Sequence, residues 1–151
     1  MARYSIDGAQ AVASPDDTTL TLTADATRPR RCKVYDIILG SSATPADNAL
    51  IRTVQRCTAA GTSSAVTPLA LDPADVATED DAGENHTVEP TYTAAAQLLV
   101  IAMNQRATYR WVAAPGGELV TPATAANGVG EFATHASFTG SVETTMHFEN
   151  Q

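Results

Sequence analysis

The sequence is short of charge, above all of lysine. Charged residues make up 17% of the 151 positions, and Lys33 is the only lysine. Long surface helices rely on charged pairs three or four residues apart, which this chain cannot supply. The net charge of −8 also argues against nucleic acid as a partner, because such binding depends on neutralising phosphates.

Aromatic residues and cysteines are also few. Eight aromatic residues are a thin supply for a carbohydrate-binding platform, and Tyr109 and Trp111 are interpreted as core residues. Cys32 and Cys57 both fall on predicted strands. A chain made in the cytoplasm keeps its thiols reduced, so free cysteines are expected, with a disulfide as the alternative.

No segment predicts export or membrane insertion. The start, MARYSIDGAQ, lacks the apolar stretch of a signal peptide. The longest apolar run, 94–103, is too short to cross a bilayer. We therefore expect synthesis in a cytoplasm and no membrane partner. The length is typical of one domain, so residues 1–151 are predicted to form a single unit.

The abundant residues are Ala (28) and Thr (21), and they favour β-structure. Leu20, Leu22 and Ala24 alternate with threonines, which predicts a strand with one buried and one wet face. The other strands are predicted over 31–39, 48–57, 65–71, 96–103, 107–113, 118–121, 129–138 and 142–149, with 48–57 preferred as a strand over a short helix.

Pattern and turns also predict how the strands are arranged. The runs 31–39 and 96–103 are apolar on both faces, which is typical of central strands. The segment 65–71 follows a turn at Gly61 as a hairpin partner of 48–57 would. About eight or nine strands with no secure helix predict an all-β antiparallel sandwich, jelly-roll-like in its connections.

The last two predicted strands fit a hairpin in one register. A loop over 139–141 pairs Phe132 with Phe148 and Phe138 with Val142, so that the apolar side chains share a face. In that register His135 and His147 are diagonal neighbours on the wet face. Two such histidines and a carboxylate could bind zinc, but polar surface residues are the preferred interpretation.

No sequence motif predicts catalysis or a cofactor. The chain lacks a G-x-S-x-G nucleophile elbow and a phosphate-binding loop, so catalytic, metal and cofactor residues are all predicted to be absent. The segment 72–90 is predicted to be a long acidic loop. Its TEDDAGEN stretch (78–85) lacks the spacing of an EF-hand, which leaves a calcium site over Asp72 to Glu89 as the alternative to a solvated loop.

Positive charge is concentrated in one short run. Four of the nine basic residues lie within RPRRCK, namely Arg28, Arg30, Arg31 and Lys33, whereas 58–105 holds seven acids and no Lys or Arg. This layout predicts that the run contacts an acidic surface, either of a partner or of a neighbouring copy. A solvated basic turn is the alternative.

Three stretches resemble a known group as a set. They are 41–75 (SSATPADNALIRTVQRCTAAGTSSAVTPLALDPAD), 83–94 (GENHTVEPTYTA) and 104–128 (NQRATYRWVAAPGGELVTPATAANG), together about half of the chain. They resemble small proteins encoded by tailed bacteriophages. The Ala/Thr-rich, Lys-poor composition is similar to that of phage head decoration (cement) proteins.

The resemblance implies a non-enzymatic structural protein of the virion. It would bind the major capsid protein or other virion proteins and stabilise the phage head, and it would form a homo-oligomer, with a trimer favoured. The alternatives are a tail or head-fibre component, or a calcium-assisted carbohydrate-binding sandwich.

Overall fold

The computed structural model describes residues 1–11, 16–135 and 139–151, and in that part of the chain it has twelve strands. None of the described segments is a helix long and apolar enough to cross a membrane. The strands are β1 (Arg3–Ala11), β2 (Asp16–Thr23), β3 (Cys32–Ser42), β4 (Ala49–Ala59), β5 (Thr62–Val66), β6 (Leu69–Ala70), β7 (Asp81–Val88), β8 (Thr91–Asn104), β9 (Tyr109–Val112), β10 (Leu119–Val120), β11 (Gly128–Thr134) and β12 (Ser141–Asn150).

The strands form two antiparallel sheets that pack as a sandwich. The first sheet has the order β10-β3-β12-β1-β6, and β9 also pairs with β3. The second sheet has the order β5-β7-β2-β11-β4-β8. β1 packs against β7 and β2, whereas Arg56 of β4 donates a hydrogen bond to the carbonyl oxygen of Val120 on β10. The β6 and β5 edges therefore share one side of the sandwich, and the β9, β10 and β8 edges share the other.

Alternating apolar side chains build the core between the sheets. Strand β12 shows the pattern most clearly, because every second residue from Val142 to Phe148 is buried and the residues between them are partly exposed. The alternation follows from the pleat of a strand, which sends successive side chains to opposite faces. The main core residues are Tyr4, Ile6, Leu20, Leu22, Val34, Ile37, Leu39, Val54, Val129, Met146 and Phe148.

A charged pair lies inside this core. Arg52 on β4 is 1% exposed and Glu131 on the neighbouring β11 is 0% exposed. The guanidinium donates to both carboxylate oxygens, at 2.7 and 2.8 Å. It also donates to the Thr144 hydroxyl at 2.6 Å and the Gly40 carbonyl oxygen at 3.3 Å, both on strands of the first sheet. The pair therefore connects the two sheets through hydrogen bonds.

Several sequence-based expectations are confirmed. The protein is an antiparallel β-sandwich, the segment 48–57 is a strand rather than a helix, and the run 31–39 lies centrally with partners on both sides. The jelly-roll connectivity is not confirmed. The expected strand number was too low, since β1 was missed and β7 lies within the segment 72–90 that was expected to be a loop. Neither β1 nor β7 has the long apolar run that would have revealed it.

The expected C-terminal hairpin is wrong. β11 pairs with β2 and β4 in the second sheet, whereas β12 pairs with β1 and β3 in the first. Glu131 points into the core, where Arg52 neutralises it, and Phe132 is only partly buried, so the apolar alternation of the sequence misassigned the faces of β11. The expected pairing of Phe138 lies outside the described residues.

Two further expectations about pairing are wrong. The β5 strand pairs with β7 rather than with β4. The threonine face of β2 is not wet, because Thr19, Thr21 and Thr23 are buried. β7 contacts this face, because the Thr21 hydroxyl lies 3.3 Å from a ring nitrogen of His86 and donates to the Gly83 carbonyl oxygen at 3.3 Å.

The expectation for the apolar run 96–103 is also wrong. It lies in β8, which is the edge strand of the second sheet and not a central strand. β4 pairs with one side of β8, and no described strand pairs with the other. β8 therefore carries the apolar side chains typical of a central strand, although one of its edges is free.

The buried ion pair gives a first prediction. Arg52→Leu would leave the Glu131 carboxylate buried without its cation, so we expect a loss of about 3–5 kcal/mol in the free energy of unfolding. Urea unfolding followed by circular dichroism measures it. Arg52→Leu combined with Glu131→Gln removes both charges and should be clearly more stable than the single variant. Equal losses in the two variants would contradict this account.

Candidate functional site

The two cysteines are buried and unpaired. Burial raises the pKa of both thiols, that of Cys57 to about 11, and Asp80 raises that of Cys32 further. The thiolate is the reactive form of cysteine, so neither side chain is set up as a nucleophile. Cys32 lies in the first sheet and Cys57 in the second, and the expectation of free thiols is confirmed.

The three histidines lie on separate elements. His86 is buried in β7, where its ring nitrogens lie 3.1 Å from the Thr18 carbonyl oxygen and 3.3 Å from the Thr21 hydroxyl, and burial lowers its pKa. His147 is on β12, and His135 follows β11 in the other sheet. The expected diagonal pairing of His135 with His147 is therefore wrong. Among the described residues, no group of three or more His, Cys, Asp or Glu side chains could hold a metal ion.

The acidic TEDDAGEN segment takes part in the fold. Asp80 is buried and accepts a hydrogen bond from Thr78 at 2.5 Å. Asp81 begins β7, and Glu84 accepts a hydrogen bond from the backbone N–H of Ala9 at 2.8 Å. The carboxylates of Glu79, Asp80 and Glu84 therefore bond to three separate partners within the chain.

A polar cluster occupies the outer face of the first sheet. Asp36 on β3 is buried, and exposed Arg110 on β9 donates two hydrogen bonds to it, at 2.9 and 2.7 Å. The His147 Nδ1 lies 3.1 Å from the same carboxylate. These donors, Arg110 first, hold the pKa of Asp36 below its usual value. The cluster joins β9, β3 and β12.

The second sheet carries a small cleft of about 300 Å³, lined by Gln55, Glu89, Tyr92 and Phe132. The rings of Tyr92 and Phe132 are 4.9 Å apart. The Tyr92 ring fits against Gly130, where an added Cβ would lie 2.4 Å from its hydroxyl oxygen.

Most polar groups at this cleft are already bonded within the chain. The Tyr92 hydroxyl lies 2.8 Å from that of Thr18, and Glu89 accepts from both the hydroxyl and the N–H of Thr18. The Gln55 amide donates to the Thr93 carbonyl oxygen at 2.8 Å. The cleft therefore offers a ligand aromatic surface more than free hydrogen-bonding groups. Sequence reasoning missed this cleft because its residues lie far apart in the sequence and meet only when β11, β4 and β8 pair.

The basic run lies beside an acidic residue of its own chain. Arg28 and Arg30 are 2.5 and 3.9 Å from the two carboxylate oxygens of Glu79. Arg31 is exposed. The pKa of Glu118 is lowered mainly by backbone hydrogen bonds, and the nearby charge of Lys33 lowers it further. The structure thus brings part of the run together with the segment 71–80, which the sequence placed in a separate acidic region.

Most of the exposed large apolar side chains lie along the two opposite edges of the sandwich, and Met1, Ile51 and Val88 are exposed as well. On the β6 side they are Leu69, Leu71 and Val76, at 65, 50 and 78% exposure. On the β8 side, Val100 and Val112 are 56 and 58% exposed, and Tyr109 is 44% exposed, so the expectation that Tyr109 lies in the core is wrong. Trp111 is partly buried and packs against the core.

Comparison with known proteins gives no match. No protein-family model matches the chain, and no curated protein or solved structure is significantly similar to it.

The polar cluster at Asp36 gives a prediction about pH. Because the folded-state pKa of Asp36 is lowered, its carboxylate stabilises the fold above the unfolded pKa of about 3.9, and this contribution is lost as the pH falls toward the folded-state pKa. We expect Asp36→Asn to be less stable than the wild type at neutral pH, with the difference shrinking in acid. Thermal unfolding over a pH series measures it.

Asp7→Asn is the matched control, since Asp7 is an exposed carboxylate on β1 of the same sheet. Its effect on the unfolding midpoint at neutral pH should be smaller than that of Asp36→Asn. A constant difference between wild type and Asp36→Asn down to the acid limit would refute the role of the ionised carboxylate.

Proposed function

We propose that this protein is a non-catalytic structural protein of a phage virion, a decoration protein that binds the head. The observation that carries the proposal is the placement of exposed apolar side chains at two opposite edges. Concentrated exposed apolar surface is typical of protein–protein contact sites. A chain with two such edges can touch two neighbours at once, as a protein on a lattice must.

The β6 edge is the proposed attachment surface for the capsid. Leu69 and Leu71 are exposed there, and so is Val76, whose carbonyl oxygen is bonded by Tyr4 at 2.9 Å. The segment that holds Val76 also carries Glu79, so the exposed arginines 28 and 30 belong to the same region. Apolar anchors with charged residues around them are the usual composition of a protein interface.

The resemblance of the sequence to small phage proteins supports this assignment. Cys32, Cys57 and His86 also support a non-catalytic role. Both thiols are buried with raised pKa values, and a ring nitrogen of His86 lies 3.1 Å from the Thr18 carbonyl oxygen. We propose no turnover, and mutation of His135 or His147 should therefore abolish no enzymatic activity. The proposed location is the virion, with the major capsid protein as partner.

The attachment surface can be tested by charge removal. Arg28, Arg30 and Arg31 replaced together by Gln should weaken binding to heads that lack the protein and should change its salt dependence, since rim charges act mainly on association. The thermal midpoint should barely change, because exposed ion pairs contribute little to stability. Co-sedimentation with purified heads over a salt series measures binding, and Arg106→Gln, another exposed arginine with an ion pair, is the control.

Leu71→Asp is a second variant for the same surface and should weaken binding more strongly than Arg106→Gln. Mass spectrometry of purified particles is the direct test of the virion assignment. Absence of the protein from particles, together with no binding to heads, would rule the assignment out.

A carbohydrate binder is the second candidate, and the aromatic cleft at Tyr92 and Phe132 favours it, because sugars bind against aromatic rings. If it is correct, a panel of mono- and disaccharides should shift the NMR signals of residues around the cleft, and Phe132→Ala should remove those shifts. Titrations with and without calcium show whether the ion assists. No shifts at millimolar sugar would exclude this function, and Tyr109→Ala is the control for an aromatic residue outside the cleft.

A further inference from the structure

β8 has a free edge, but its residues are of the kind found in strands that are paired on both sides. The strand is 14 residues long and contains no charged residue and no proline, in a chain of net charge −8. Edge strands in soluble proteins are usually protected by charges, prolines or a short length. β8 lacks all three of these protections, and its bulges lie toward its N-terminal half, from Leu99 back to Thr91.

The hydrogen-bonding pattern shows which backbone groups face the free edge. The Gln105 N–H donates to the Asn48 carbonyl oxygen at 2.9 Å, and the pairing with β4 is regular from Asn104 to Leu99. Bonded and non-bonded pairs alternate in an antiparallel ladder, so Met103, Ile101 and Leu99 bond to β4. The N–H and C=O groups of Val100 and Ala102 therefore point away from β4.

The free edge of β8 can accept a second copy of itself, because the outward N–H and C=O groups of Val100 and Ala102 complement each other in an antiparallel pair. A second copy of the chain also carries a net charge of −8, so two copies repel each other over most of their surface. The uncharged β8 is a place where they can meet without like charges in contact. Arg106, an exposed cation just after β8, lies 3.8 Å from Asp47 of its own chain.

We propose that two copies pair through β8, edge to edge, and join their second sheets into one continuous sheet. A two-fold axis makes this pairing antiparallel. With the axis at Ile101, Val100 of each copy lies opposite Ala102 of the other, and their free N–H and C=O groups bond to each other. Leu99 then lies opposite Met103 on the inner face, where both are only partly buried within one chain.

This pairing goes beyond the proposed attachment to a phage head and uses the opposite edge of the sandwich. One strand pair covers less area than a standard protein interface. The association should therefore depend on concentration, and monomer and dimer should exchange.

Sedimentation velocity over a concentration series tests the pairing. Wild type should form dimers, and Ala102→Pro should weaken dimerisation at least ten-fold, because it removes a donor that faces only the free edge. Ala102→Lys should do the same by adding a charge beside its symmetry mate. Ala65→Lys is the matched control, since Ala65 is exposed on β5, the opposite edge strand of the same sheet.

Amide exchange followed by NMR checks the register without any variant. The amides of Val100 and Ala102 should become protected as the protein concentration rises, while that of Ile101 is protected throughout. A monomer at all concentrations, or a dimer weakened equally by Ala65→Lys and Ala102→Lys, would overturn the pairing. If the protein forms these dimers but is absent from virions, the pairing through β8 stands and only the proposed function is overturned.

Discussion

The buried contact between Arg52 and Glu131 is the constraint around which the sandwich is organised. Two buried charges are tolerable only if they are paired and hydrogen-bonded, and here the partners come from both sheets. Thr144 both accepts from the guanidinium and donates to the carboxylate. An apolar core alone would allow the sheets many similar packings, whereas this network fits one register between β4, β11, β12 and β3.

That register determines what the two edges of the sandwich present. With β11 held beside β4, β8 can pair only on the outer side of β4 and becomes the end of the second sheet. On the other side, β1 packs over β7 and β2, which leaves β6 and the segment after it at the surface. The two apolar edges are therefore consequences of the core, and they lie far enough apart to serve different neighbours.

The outer faces of the sheets are occupied by polar contacts that stabilise the fold. Asp36 joins three strands of the first sheet through Arg110 and His147, and Glu89 joins the start of β2 to the connection before β8. These groups resemble catalytic or ligand-binding sets in their residue types. Because their hydrogen bonds go to each other, these polar groups stabilise the fold and leave few hydrogen-bonding groups free for a partner.

The sequence by itself determined the class of fold, since alternating Thr and apolar residues, little charge and no amphipathic helix leave few structures other than an antiparallel sandwich. It also located most strands, because the period of a strand is local. Only the tertiary structure decided which strands pair. Glu131 shows the reason: a carboxylate is buried only when a distant residue such as Arg52 neutralises it, and no local pattern contains that information. For the same reason the apolar run of β8 indicated a buried central strand, and the structure placed it at an edge.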